Sequence, residues 1–376
     1  MLPILPPASV VVRHEADRVV VDNGRIRLSV DRQRGLGALA WPDRATIDGF
    51  YGEAKFEDGR LRKTTEYREH RIAEGDVRTV KDKFGTGVRM TVHHRDPGQP
   101  ELRQEFWVYE NRPEAFVRLS VVGRPSAASN YLAPIVTDAS LRIPNRSPLQ
   151  SLFVPWDNDM YFRYNSDGWG EGDGNGDGSY EVGAVYDDAA RNGLVVGSID
   201  HDQWKSAVRF VRGSTGQPAG MRAFAGVTSK YTHDTQPHGT VRGREVRSPR
   251  MLVGYYPDWR DGMERYGDLN ALVQPPLPWK GGVPFGWNSW SAHKAKLNAG
   301  HMTAATDFVA DEVPAFRNDG TAYVNFDSFW DNLKREERAD FVKRVHGKGL
   351  KAGIYWTPFN CWGELASKVG VGDYVY

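Results

Sequence analysis

Pro284-Phe285-Gly286-Trp287-Asn288-Ser289-Trp290, Ala322-Tyr323-Val324-Asn325-Phe326-Asp327-Ser328-Phe329-Trp330 and Leu350-Lys351-Ala352-Gly353-Ile354-Tyr355-Trp356 are the stretches on which the fold turns. Each is a short apolar run with a polar or aromatic residue at its downstream end. The spacing predicts strands at Phe285 to Trp290, Ala322 to Phe326 and Lys351 to Trp356. Between them lie helical periodicities, from about Thr303 to Asn318 and from about Lys334 to Lys348. Strands alternating with helices make a parallel sheet covered by helices. In the barrel form of that architecture the C-terminal strand ends line the active site. Those positions hold Trp287, Asn288, Trp290, Asp327, Trp330, Tyr355 and Trp356. A carboxylate ringed by indoles suits a sugar, whose C–H face packs on aromatic rings while its hydroxyls donate to the carboxylate.

Gly286-Trp287-Asn288-Ser289-Trp290, Tyr323-Val324-Asn325-Phe326-Asp327-x-x-Trp330 and Gly349-Leu350-Lys351-x-Gly353-Ile354-Tyr355 resemble the first three barrel strands of the α-galactosidase (melibiase) families of glycoside hydrolases. The three motifs occupy about the last quarter of the chain. The resemblance implies a galactose-mutarotase-like β-sandwich followed by a (β/α)8 TIM barrel. It also implies retention of anomeric configuration through a glycosyl-enzyme intermediate, without an organic cofactor. Retaining glycosidases use two carboxyl groups about 5 to 5.5 Å apart. In these families they are an Asp at the end of strand 4 and an Asp near strand 6, both of which would lie beyond Tyr376. No catalytic residue is therefore assigned. A barrel needs eight strands and about 250 residues, so the barrel is expected to be incomplete, the chain a fragment, and the fragment inactive alone.

The remainder of the chain is read from its residues. A length of 376 residues suggests two domains. The formal net charge of +1, from 49 basic and 48 acidic residues, gives no electrostatic case for nucleic acid or an anionic membrane surface. A neutral partner, an oligosaccharide or glycoside, is expected. The single cysteine, Cys361, excludes an intrachain disulfide and argues against a thiolate metal site. No run approaches the roughly 18 apolar residues of a membrane span. Met1-Leu2-Pro3-Ile4-Leu5-Pro6-Pro7 lacks the basic start of a signal peptide. A soluble product is expected; the compartment, export included, and the oligomeric state stay open.

From Asp17 to about Asp138 the chain alternates. Ile26, Leu28 and Val30 interleave with Arg25, Arg27 and Ser29; Val88, Met90 and Val92 with Arg89 and Thr91; Val117, Leu119 and Val121 with Arg118 and Ser120. Period 2 with arginine on the second face predicts sheets packed on one side, and many short antiparallel strands predict a β-sandwich. From Phe153 to Tyr180 the sequence is rich in Asp, Gly and aromatics and reads as a long surface loop. Trp259, Met263, Tyr266 and Leu269 give Asp258 to Leu272 helical spacing, and Pro275-Pro276-Leu277-Pro278 follows as a stiff linker. The expected domains are thus a β-sandwich over 1–256, a linker helix with its Pro-rich tail over 257–280, and the first part of the barrel over 281–376.

Asp327 matches the first of two adjacent family aspartates that hydrogen-bond the galactosyl ring. Ser328 stands where the second would be, so either the sugar differs or another carboxylate supplies the contact. Asp157 and Asp159, in the loop of the first domain, are candidates; turn chemistry is their alternative. Trp287 matches the family tryptophan that walls the pocket, with barrel packing as its alternative. Trp330, Tyr355 and Trp356 are further candidates, since strand residues alternate between the two sides. Asp173-Gly174-Asn175-Gly176-Asp177-Gly178 fits half of a calcium loop, but Ala184 stands where the bidentate glutamate belongs. Calcium through Glu171, Asp173, Asn175 and Asp177 remains the alternative to a plain acidic loop. The resemblance implies hydrolysis of terminal α-linked galactose or a related sugar. The alternatives are a galactosyl transferase of the raffinose-synthase type and a non-catalytic carbohydrate-binding protein.

Overall fold

The computed structural model describes residues 9–43, 45–138, 141–155, 164–166, 178–227, 239–280 and 282–355. They fall in two compact units, Met1–Pro276 and Leu277–Tyr376, divided inside the Pro-rich run.

Among the described residues the first unit is a network of twenty antiparallel strands. Its spine is one long strand, Glu114–Thr137 (β2), which pairs with Thr46–Phe56 (β1), Glu101–Tyr109, Pro218–Ala225, Val241–Arg247 and Met251–Tyr256 (β4). Register shifts between Val122 and Ala127, Ser129 and Tyr131, and Ala133 and Val136 bend it from one partner to the next. The alternating apolar residues are where their period puts them. Ile26, Leu28, Val30, Met90, Val92 and Val117 join the largest buried cluster, while Leu119 and Val121 enter a second. Their arginine neighbours find carboxylates: Arg27 with Asp22, Arg89 with Glu105, Arg118 with Asp200.

The helix Trp259–Val273 (α1) is capped by Asp258, whose Oδ1 accepts from the Arg260 N–H at 3.1 Å. Trp259, Met263, Tyr266 and Leu269 all turn onto one buried cluster with Val195, Leu252 and Tyr256, drawn from Gly193–Ser198 (β3) and β4. Trp259 also stacks on Tyr186, with ring centroids 4.2 Å apart. The segment expected to link two domains is therefore a packed element of the first, because its apolar stripe needs a sheet to cover it.

The second unit carries a three-stranded parallel sheet in the order Gly286–Asn288 (β5), Tyr323–Phe326 (β6), Lys351–Ile354 (β7). Trp287 pairs with Val324 and Val324 with Ala352; Asn288 pairs with Asn325 and Asn325 with Gly353. Helix α2 (Ala299–Asp307) joins β5 to β6, and α3 (Arg335–Gly347) joins β6 to β7. Helix α2 starts before the predicted Thr303 because the Asn298 side chain caps it, accepting from the His301 N–H at 3.0 Å. Val324, Phe326, Met302, Phe341 and Val345 form the buried cluster under the helices, with Phe326 and Phe341 in contact at 4.1 Å. Each such ring contributes about 1.5–3 kcal/mol by leaving water.

Two glycines of the sequence motifs have a steric reason. A Cβ at Gly286 would come within 1.9 Å of the Tyr323 carbonyl oxygen, and one at Gly353 within 2.4 Å of Asn325 Oδ1. The backbone of β6 and the Asn325 side chain use the space that a larger residue would fill.

Candidate functional site

Strands β5 and β6 run in the same direction and end side by side, so the residues just past them are brought together by the register. Asn288, the last residue of β5, donates from Nδ2 to Asp327 Oδ2 at 2.8 Å. Asn288 Oδ1 accepts from the Trp290 N–H at 2.8 Å, an Asx turn that fixes the amide's orientation. Ser289 is buried, and its Oγ accepts from the Asp327 N–H at 2.9 Å. Asp327 Oδ1 in turn accepts from the Ser328 N–H at 2.7 Å. The half-buried carboxylate is thus held in place by neutral donors, and no ion pair to it occurs among the described residues. A carboxylate offers about four lone-pair directions. With two taken, about two remain for hydroxyl donors from a ligand.

The rings nearby are partly open to solvent. Trp290 and Phe329 are each 41% exposed, and their planes are parallel within 7° with centroids 6.2 Å apart. Tyr355 follows β7, is 36% exposed, and donates its N–H to the Phe326 carbonyl at 2.6 Å.

Of the residues singled out in the sequence, Asp327, Ser328 and Tyr355 lie at the C-terminal ends of β6 and β7. Trp287 and Trp330 do not join them. Trp287 shares a face with Val324 and packs half-buried on the apolar cluster, its ring edge-on to His293 at 5.9 Å. The expectation that it walls a sugar pocket gives way to the packing alternative, since the parallel register fixes which face a strand residue takes. Trp330 packs on the same cluster under the Arg338 guanidinium, 5.0 Å from its ring. Trp356, Asp157, Asp159 and the calcium candidates Glu171, Asp173, Asn175 and Asp177 lie outside the described residues. The contributors the sequence did not single out as ligands are Asn288, Ser289 and Phe329. The signal for the first was present, an Asn two residues before an amide at a predicted strand end.

Elsewhere the titratable clusters are structural. In the first unit His93 bridges Glu101 at 2.6 Å and Asp76 at 3.3 Å; burial opposes ionisation of Glu101, but His93 and Arg95 outweigh it and hold the carboxyl down to about 2. Fully buried His94 meets His70 with Nδ1 atoms 2.8 Å apart. Its pKa is pushed down to about 3 by burial first and by His70 second. In the second unit His293 stacks on His301 with centroids 3.9 Å apart, and loss of water and the His301 charge lower its pKa. Among the described residues no group of three or more His, Cys, Asp or Glu is placed to hold a metal ion. Among them, too, no helix is long and apolar enough to cross a membrane.

No family model matches the chain. An α-galactosidase of Cyamopsis tetragonoloba is 30% identical over 108 residues, which span 25% of this chain and 24% of the relative. One of Coffea arabica is 30% identical over 86 residues, 19% of this chain and 22% of its own length. The resemblance is to α-galactosidases. Among solved structures, the GH36 α-galactosidase AgaB from Geobacillus stearothermophilus aligns over 96% of this chain and 58% of its own, with TM-score 0.51 and 13% identity. The galactosidase domain of the α-galactosidase-sucrose kinase AgaSK aligns over 96% and 59%, with TM-score 0.54 and 12% identity. At such identities the structural likeness to these α-galactosidases is one of fold. The chain spans less than two thirds of their length, and its matches to the curated α-galactosidases span about a quarter of theirs.

Proposed function

We propose that this chain carries the sugar-binding part of an α-galactosidase-like glycoside hydrolase acting on terminal α-linked galactose or a related sugar. In this reading β5, β6 and β7 are the first strands of a (β/α)8 barrel, and the first unit is a β-sandwich preceding it. The observation that carries the proposal is the Asn288 to Asp327 hydrogen bond across the C-terminal ends of two adjacent parallel strands. It leaves the carboxylate oriented and, among the described residues, without a cation partner, a state that hydroxyl donors stabilise strongly. The partial sequence likeness to α-galactosidases supports the same choice of ligand. Asp327 is assigned binding and not bond cleavage, because cleavage with retention requires a second carboxyl group about 5 to 5.5 Å away, and none is assigned. Ser328 beside it replaces a charged acceptor with a neutral one, so selection between epimers rests more heavily on Asp327.

The test is titration of the chain with methyl α-galactopyranoside, followed by calorimetry or NMR, with Asp327→Asn as the comparison. Loss of a charged acceptor costs about 1.5–3 kcal/mol, so the variant is expected to bind roughly tenfold to a hundredfold more weakly. Equal binding by the two proteins, or none by either, overturns the reading.

A further inference from the structure

We propose that His201 is a proton-operated latch on α1: charged, it ties the last turns of the helix to the sheet of the first unit, and on losing its proton it lets them go. The device uses none of the residues around Asp327. Three observations carry it.

His201 lies just past β3, and its two ring nitrogens face two different elements. Nδ1 is 3.2 Å from Glu181 Oε1, at the junction of the strands Ser179–Tyr180 and Val182–Tyr186, and Nε2 is 2.6 Å from Asn270 Oδ1 on α1. The partners decide the protonation of the ring. A carboxylate only accepts, and the Asn270 amide nitrogen is committed, donating to the Tyr266 carbonyl at 2.9 Å, so its oxygen is the atom turned to His201. Both ring nitrogens therefore donate, and a ring that donates twice is an imidazolium. A neutral ring keeps one of the two bonds and sets a lone pair against an acceptor at the other.

Glu181 is fixed independently of the latch. Its φ of +57° is left-handed backbone that a residue with a Cβ rarely adopts, and its N–H and carbonyl are both engaged, with the Ser206 carbonyl and the Ser198 N–H at 2.9 Å each. Gly197 beside it leaves room for α1 to seat, since a Cβ there would come within 2.7 Å of the Tyr266 ring. The carboxylate is thus aimed by the sheet, and His201 is the movable proton between it and the helix.

Within this group His201 is the side chain that titrates near neutrality. The charged groups facing it among the described residues are Glu181 and Asp200, the latter bracketed by Arg250 and Arg118. The hydrogen bond to Glu181 outweighs burial and lifts the His201 pKa above its ordinary value. Burial opposes ionisation of Glu181, but His201 and the Tyr180 hydroxyl outweigh it and hold its carboxyl low. Burial raises the hydroxyls of Tyr180, to about 12, and of Tyr266, so neither ionises with the ring. A group whose folded pKa is raised stabilises fully below its unfolded value near 6.5, and that contribution is lost as pH rises through the folded value. The apolar stripe of α1 does not titrate, so release is confined to the turns around Asn270.

The experiment follows the His201 ring and amide exchange along α1 by NMR from about pH 6 to about pH 9, with exchange rates corrected for their intrinsic pH dependence. Both ring nitrogens should carry protons at the acid end, and the ring should titrate above about 6.5. The Gln274 N–H donates to the Asn270 carbonyl at 2.8 Å, and that of Gly262 to Asp258 at the start of the helix. Protection at Gln274 should fall about tenfold as the ring loses its proton, while that at Gly262 stays level. In His201→Gln, neutral at every pH, protection at Gln274 should be low throughout. In Glu181→Gln, which keeps the shape of the side chain, the ring should titrate at or below about 6.5 and the change at Gln274 should move with it. Circular dichroism reports that each variant keeps the fold; should His201→Gln lose it, the wild type and Glu181→Gln decide. A wild-type ring that titrates at or below about 6.5, protection at Gln274 that does not follow the ring, or a pH dependence that survives His201→Gln each overturns the latch.

Discussion

Asp200, Glu114 and Glu101 of the first unit and Asp327 of the second are held in opposite ways, whereas Asp307 of the second unit is ion-paired like the former, to Arg344 and Lys348. In the first unit, Asp200 is bracketed by Arg250 at 2.6 Å and Arg118 at 2.8 Å, and fully buried Glu114 by Arg265 and Arg112 at 3.1 and 3.6 Å. Glu101 sits between His93 and Arg95. Each negative charge has a positive one and serves the sheet. Asp327 of the second unit is aligned by an amide, a hydroxyl and a backbone N–H, and its charge is left for something else. The contrast separates charges that hold the molecule together from one that is positioned for a ligand.

That contrast can be broken by removing each kind of partner. Arg250→Met should be the most damaging change. It leaves half-buried Asp200 with Arg118 as its remaining cation, and losing one member of such a pair costs up to the roughly 3–5 kcal/mol of a fully buried one. Denaturant unfolding should show the loss, with galactoside affinity unchanged. Acid should be next. Burial opposes ionisation of Asp200, but Arg250 and Arg118 hold its carboxyl down to about 2. A depressed carboxyl contributes stability above its unfolded value near 4, and that contribution is lost as pH falls from about 4 to about 2, some 2 kcal/mol in all. His94 adds to the acid side earlier. It is buried neutral, so below about pH 6.5 the unfolded chain gains a proton that the folded chain refuses, and stability declines from there toward pH 3. Unfolding free energy measured against pH should therefore fall in two stages, and His94→Gln should reduce the first, with burial of His70 supplying part of the rest.

Smaller effects are expected at the ligand end. Asn288→Ala should weaken binding of methyl α-galactopyranoside about tenfold, near 1.4 kcal/mol, through loss of carboxylate orientation, with unfolding changed by less than about 0.5 kcal/mol as for an exposed site. A stability loss as large as that of Arg250→Met would erase the distinction between the two kinds of carboxylate. Ser328→Asp should act least, strengthening the same binding several-fold by adding a charged acceptor.

Much of this was legible in the sequence, and what was not has identifiable causes. The alternation of Ile26, Leu28 and Val30 against arginines gave the antiparallel sheet, and Gly286 and Gly353 sit where the strands require them. Trp287 could not be placed in the same way. In a strand of three residues alternation has no phase of its own, and the partner Val324, already committed to the helix-covered face, sets it. The same register turns Asn288 toward Asp327, a contact between residues 39 apart that no local pattern announces. Helix α1 had its stripe read correctly but not its destination, because an apolar face says that a cover exists and not which unit supplies it. The start of α2 was missed because Asn298 caps it ahead of its first buried residue.

The most direct measurement follows the Asn288 side-chain amide and the Ser328 backbone amide by NMR as methyl α-galactopyranoside is added. Both donate to the Asp327 carboxylate, so both resonances should shift along one saturable curve in the wild type, and in Asp327→Asn the curve should move to roughly tenfold to a hundredfold higher ligand concentration. Saturable shifts that leave these two amides untouched would place the sugar elsewhere and contradict the assignment of Asp327.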